Sequence, residues 1–361
     1  MYDYDAIIAG AGPAGSTAAL CLAQAGRRVL LLEKKRLGRD KPCGGGLTPR
    51  SYQRLEVPID DLVITRAVTV ALHLGAKRLA TWKSPGESIW MVRRTEFDRR
   101  LTEAAVAAGA ELHEAEPITA AAPTADGVTA ETAQGRYTTA VLLLATGAEG
   151  NLRQTLGFTE PTRAMVGLEL EAAVRAGLQG DVAVLDYSVP QGYAWAFPKG
   201  EIWNVGVASA DPNLGPHLRE RLVRFLDENG VEFANPGIGV QNAVGRRIPL
   251  WDRRAVLARG RIALLGDAAR LADPLFGEGI ASALASGRLA AQLTLDLLAG
   301  KVANLDGYTA LIRRELGPHL ERTRRLAALV YPAPNLWIRI LAALPFARRF
   351  AERVVSEDFR S

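Results

Sequence analysis

Gly10, Gly12 and Gly15 stand in the spacing G-x-G-x-x-G, and Glu33 follows 18 residues after the last of them. In such a run the first glycine makes a tight turn, the second lets the backbone approach a pyrophosphate, and the third lets a helix pack closely on a strand. The helix N-terminus placed there offers unpaired N–H groups and the positive end of its dipole to the anion. A carboxylate at the spacing of Glu33 meets ribose hydroxyls. This is the chemistry of adenine dinucleotide binding. It needs a buried strand over residues 4–9, a helix over 14–25 ended by Gly26, and a second strand over 28–33, and the apolar runs supply all three.

Other segments point to the same crevice. Residues 141–145 read as a buried strand running into Gly147, and residues 262–265 as one running into Gly266-Asp267-Ala268-Ala269. Both are expected to end at the carboxyl edge of a parallel sheet, the usual ligand position. Residues 276–298, opened by Gly277-Glu278-Gly279-Ile280, read as a helix whose N-terminus faces the ligand and favours negative charge. Lys41-Pro42-Cys43-Gly44-Gly45-Gly46 supplies a glycine loop with a thiol, and Arg94 opens a further helix, as a cofactor ligand or as a solvated charge. Residues 193–197 and 202–208 flank Pro198-Lys199-Gly200 and read as a hairpin. Strand alternation puts Tyr193, Trp195 and Phe197 on one face, where they form either sheet core or an apolar slot.

The composition sets bounds on these readings. The chain has 361 residues, 48% of them hydrophobic, enough for two domains and a sizeable core. Its net charge of +5 lies in residues 301–361, with 11 Lys or Arg against 6 Asp or Glu. No basic stripe with interleaved aromatics runs through the body, which argues against nucleic-acid binding. Two cysteines make no disulfide framework, and the first residues lack the pattern of a signal peptide, so a reducing cytoplasm is expected. Cys21 reads as core. The four histidines, His73, His113, His217 and His319, have no metal-ligand spacing and read as surface or packing residues; no metal is expected. The segment from Trp337 through Leu344, with Phe346, Arg348, Arg349, Phe350 and Arg353, mixes large apolar residues with Arg, as a helical cap or a peripheral membrane contact does.

The five motifs together, in this order, resemble the geranylgeranyl reductase family of flavoproteins: the glycine fingerprint, Cys43-Gly44-Gly45, Arg94 before Phe97-Asp98, Tyr193-Ala194-Trp195-Ala196-Phe197-Pro198, and Gly266-Asp267-Ala268-Ala269 leading to Gly277-Glu278-Gly279-Ile280. The resemblance implies an α/β chain, α+β overall, with the fold of p-hydroxybenzoate hydroxylase. An interrupted Rossmann-like FAD domain would hold residues 1–60, 93–160 and 255–300, a sheet-based substrate domain 61–92 and 161–254, and a helical C-terminus 301–361. Beside Gly10 and Gly12, it implies that Ala14, Gly15 and Glu33 meet the ADP half of FAD, and Arg94 the phosphate or ribityl region. Asp267, Gly279 and Ile280 would meet the ribityl chain and isoalloxazine, with Cys43, Gly44 and Gly46 near the flavin. Tyr193, Trp195, Phe197 and Pro198 would line a slot for an isoprenoid chain. The implied activity is saturation of prenyl double bonds by hydride from reduced flavin, with NADPH or a ferredoxin-type carrier as donor and Cys43 as the one candidate acid. An FAD-dependent monooxygenase or halogenase is the alternative, and a flavin-binding protein without turnover a third reading. Ala148-Glu149-Gly150-Asn151-Leu152-Arg153 departs from the Asp-Gly pattern of related flavoproteins, and neither Glu149 nor Arg153 is assigned a role.

Overall fold

The computed structural model describes residues 2–39, 41–83, 88–159, 163–178 and 180–343. The strand Tyr4–Ala9 sits at the centre of a mostly parallel sheet, between Val29–Glu33 on one side and Arg136–Leu144 on the other. Ile7 is in register with both Leu30 and Leu142, and Leu143 with Ala263 of the next strand, Ile262–Leu264. Near-continuous apolar runs are what parallel strands covered on both faces require, and Ile7, Ile8, Leu30, Leu31, Leu142 and Leu143 are fully buried. Glu111–Glu114 extends the parallel order beyond Val29–Glu33. Arg136–Leu144 begins five residues before the apolar run because its first half pairs antiparallel with Val128–Glu131.

The helix Pro13–Gln24 lies against the long helix Ile280–Leu298, and Gly287 makes the close approach possible: a side chain there would collide with the Ala14 carbonyl. The long helix starts at Ile280, four residues later than the sequence pattern suggests. Asp273 is the reason, since its Oδ1 accepts the Leu275 and Phe276 N–H groups (2.7 and 2.9 Å) and Gly277 takes φ +64, which holds the segment before it as a loop.

A second, mixed sheet runs in the order Glu232–Phe233, Ala164–Ala176, Ile202–Ser209, Gly192–Lys199, Val182–Asp186, Thr69–Leu74 and Lys77–Lys83, with Val244–Pro249 also paired to Ala164–Ala176. The helix Leu218–Glu228 covers one face with Leu218, Leu222, Phe225 and Leu226. The opposite face lines a cavity. Residues 61–92 contribute to this sheet and also to a small one made of Gly46–Leu47, Ile89–Met91 and Thr65–Ala67. Tyr308–Glu315, Gly317–Val330 and Pro334–Ala343 form the helical C-terminus, and Pro334–Ala343 packs against Lys77–Lys83. Leu344, Phe346, Arg348, Arg349, Phe350 and Arg353 lie outside the described residues. Among the described residues no helix is long and apolar enough to cross a membrane.

Candidate active site

A cavity of about 1480 Å³ joins the carboxyl ends of the parallel strands to the open face of the second sheet. At one end lie Gly10, Gly12, Ala14, Glu33, Ala145, Gly266 and Asp267; in the middle Cys43, Gly44, Gly46, Arg94, Gly279 and Ile280; and towards the other end Tyr193, Trp195 and Phe197. Segments spread over most of the chain thus meet in one space. Two expected residues do not line it. Gly15 sits where a side chain would strike the Gly10 carbonyl, so it sets helix–strand packing, and only its backbone is open to a ligand at the helix N-terminus. Pro198 is buried on the other face of its strand, opposite Phe197.

The glycine end fits a pyrophosphate. A Cβ on Gly12 would meet only the Lys41 ammonium, 3.9 Å away, and the helix that follows has neither a side-chain cap nor an acidic residue in its first turn. Its free N–H groups therefore face the cavity with no side chain of the protein capping them, the arrangement that favours an anion. Around them stand three cations. Arg94 makes a bidentate pair with Asp98 (both bonds 2.9 Å), and Arg39 bridges Glu33 (3.3 Å) and Asp98 (3.8 Å). Burial and the nearby Arg94 guanidinium hold the Lys41 ammonium below its usual range. An anion between these groups relieves that repulsion. Lys41 belongs to this site although the fingerprint does not include it; its place two residues before the Cys-Gly-Gly run was too weak a signal to assign it. Glu33 keeps its expected position, but Oε2 accepts the Ala11 N–H (2.8 Å) and Oε1 the Lys35 N–H (3.1 Å), so it also braces the glycine turn. Its carboxylate retains lone pairs for a ribose hydroxyl.

The loop over residues 43–46 is stitched to the aromatic strand. A Cβ on Gly44 would lie 2.9 Å from the Phe197 ring, and one on Gly45, at φ +71, would lie 2.7 Å from the Lys199 ammonium. Cys43 lies beside the Arg94 guanidinium, and its backbone is close to the Glu169 carboxyl. Burial, partly offset by Lys199 and reinforced by Glu171, pushes Glu169 up to about 7. The other thiol, Cys21, packs against the main core, where burial and Glu56 raise it to about 11.

Sheet register orders the apolar end. Three rows cross the open face: Gly167, Ala208 and Tyr193; Glu169, Gly206 and Trp195; Glu171, Asn204 and Phe197. Gly206 has no side chain because the Trp195 indole occupies the space above it. That indole donates to Asn204 (2.7 Å), and Tyr187, Tyr193, Trp195 and Phe197 follow one another at ring separations of 6.0, 5.7 and 6.2 Å. Leu326, Leu329, Val330 and Trp337 of the last two helices close the far side. The Gly-Glu-Gly-Ile loop is clamped in place. The Tyr193 hydroxyl donates to the Phe276 carbonyl, and Glu278 accepts from Ser51 and from the Ala281 N–H. Asp273 and His319 are buried 3.1 Å apart; burial alone would raise the Asp273 carboxyl, but His319 and the Phe276 N–H hold it low. Glu149 lines the cavity, whereas Arg153 is spent on the Ala148 and Ala268 carbonyls.

The cavity thus runs from a glycine end suited to the phosphates of a dinucleotide to the Cys-Gly-Gly loop and the aromatic rows, an outline that would accommodate FAD. Comparison with known proteins agrees. Residues 3–314 match the FAD binding domain family. The menaquinone reductase of Mycolicibacterium smegmatis is 30% identical over 90% of this chain and 84% of its own length. The geranylgeranyl diphosphate reductase of Rhodobacter capsulatus is 30% identical over 87% and 81%. A geranylgeranyl bacteriochlorophyll reductase-like protein from Thermoplasma acidophilum shares the fold at TM-score 0.75 and 21% identity, over 98% of this chain and 99% of that one. A flavin-dependent brominase shares it too, at TM-score 0.78 and 19% identity, over 98% and 93%. The chain belongs to the FAD-binding flavoprotein family that includes the geranylgeranyl reductases, and it is an FAD-dependent oxidoreductase.

Proposed function

We propose that the protein saturates carbon–carbon double bonds in the prenyl chain of a lipid, carried by a quinone or by a geranylgeranyl group. The observation that carries this reading is the continuity of one cavity from the glycine loops to the row of Tyr193, Trp195 and Phe197. When bound, FAD supplies hydride once it has been reduced; the protein supplies orientation and a dry site. Gly10, Gly12, Ala14, Glu33, Lys41 and Arg94 hold the nucleotide half; Cys43, Gly44, Gly46, Asp267, Gly279 and Ile280 surround the ring. The aromatic rows hold an extended apolar chain, and the apolar side chains of the last two helices exclude water behind it. NADPH or a ferredoxin-type carrier recharges the cofactor, since a single dinucleotide fingerprint gives no resident place to a second nucleotide.

A lipid substrate has to be taken from a bilayer, and we place the entry at the C-terminal helices. Leu329 lines the cavity yet is 47% exposed, and Leu336, on the helix that carries Trp337, is 55% exposed. Peripheral contact through this apolar rim follows from that arrangement. Anaerobic mixing of the reduced protein with a geranylgeranyl lipid tests the activity: the oxidised flavin spectrum returns as the lipid is consumed. No return over hours, with the same protein reoxidising promptly in air, contradicts the reading.

A further inference from the structure

We propose that Glu169 is the acid of the reaction, giving its proton to one alkene carbon while hydride reaches the other. This rests on the prenyl-reductase reading. An isolated double bond that accepts hydride must also gain a proton, and the acid must stand inside the dry cavity, within reach of the carbon. Cys43 is the obvious thiol, but it sits against the Arg94 guanidinium at the nucleotide side of the loop, with its backbone close to Glu169. Glu169 lines the cavity itself. It stands in the same cross-strand row as Gly206 and Trp195, so the indole lying over Gly206 carries the aromatic slot towards the carboxyl. The Cys43 backbone and the Asn204 side chain lie close enough to the carboxyl to favour its charged form, against the effect of burial.

Charged groups surround Glu169 on every packed element. Glu171 lies two residues along the same strand, Lys199 is on the aromatic strand and paired to Glu171, Cys43 is backed by Arg94 on the loop, and Arg246 is register-paired with Gly167 on the neighbouring strand. The Lys199 charge favours the carboxylate, but Lys199 is shared with Glu171, and burial prevails, leaving Glu169 half protonated near pH 7. A carboxyl raised into this range by burial is a usual form of an enzymatic acid. The step balances as follows. The π pair of the C=C bond takes the proton as the Glu169 O–H bond breaks, and the second carbon takes a hydride whose two electrons come from reduced FAD. The product is a CH–CH unit, and the Glu169 carboxylate regains a proton from solvent.

Glu169→Gln tests this, because glutamine keeps the size and polarity of the side chain but carries no acidic proton. The variant is expected to bind FAD with an unchanged visible spectrum. It should also lack an infrared band of a protonated carboxyl that titrates away in the wild type through about pH 7. Its single-turnover yield of saturated prenyl chain is expected to fall at least about 100-fold, whereas the wild-type rate declines as pH rises through about 7. Turnover within about threefold of wild type overturns the assignment. So does an infrared titration identical in the two proteins. Should the variant fail to hold FAD, the wild-type pH profile decides: a rate flat from about pH 5.5 to about pH 8.5 overturns Glu169 as the acid. A wild type that saturates no prenyl chain overturns the underlying reading instead, a result separate from one in which both proteins turn over.

Discussion

Gly12 and Gly15 lie three residues apart and are glycine for different reasons. Gly12 leaves room for a ligand, while Gly15 leaves room for the Gly10 carbonyl. Gly12→Val is therefore expected to keep its circular dichroism and thermal midpoint but to emerge from gel filtration without flavin absorbance, whereas Gly15→Val loses the fold. A Gly12→Val protein that retains full flavin contradicts the pyrophosphate placement. Lys41→Gln is expected to weaken FAD binding by about tenfold, roughly 1.4 kcal/mol, read by fluorescence titration of the apoprotein. These residues show how far single positions were legible. The glycines were readable because a fixed spacing has one physical use, and Cys43 because it sits in a glycine loop. Lys41 and Glu169 were not, since a Lys before Pro or a Glu in an alternating strand is ordinarily solvated; only the fold shows that both line the cavity.

At the scale of elements, apolar runs placed the parallel strands within a residue or two wherever burial on both faces dictates them. The start of the long helix was misjudged because its determinant, the Asp273 side chain holding the preceding N–H groups, is a tertiary choice as much as a local one. Alternation did place Tyr193, Trp195 and Phe197 together, but the pairing that brings Gly206 under Trp195 needs the register, which no local pattern reveals. Gly206→Val is expected to expel the indole from its place, keep FAD, and raise the KM for lipid with a smaller change in kcat; an unchanged KM contradicts the slot. His319→Ala removes the partner of a buried carboxylate and should destabilise the fold by about 2 kcal/mol in denaturant unfolding. Asp273 is held low, so its contribution is fully present above the ordinary aspartate range and is lost as pH falls through its depressed value. The difference between wild type and His319→Ala should accordingly shrink in acid.

The molecule as a whole joins a nucleotide sheet, an aromatic sheet face and a pair of C-terminal helices around one space. The order of five motifs announced the first two, because all five motifs line the same cavity. The apolar rim at the mouth was announced only as a mixed Arg and aromatic segment, whose last part lies beyond the described residues. Replacing Leu329 and Leu336 together by Glu is expected to abolish co-sedimentation with liposomes and leave flavin content unchanged; undiminished sedimentation contradicts entry at that rim. The central claim is the reaction itself, and mass spectrometry of geranylgeranyl lipids after incubation with the chemically reduced protein tests it most directly. Run without oxygen, the account predicts gain of hydrogen pairs and no other change. Lipid unaltered without oxygen but carrying added oxygen after incubation in air would contradict it and make the protein an oxygenase.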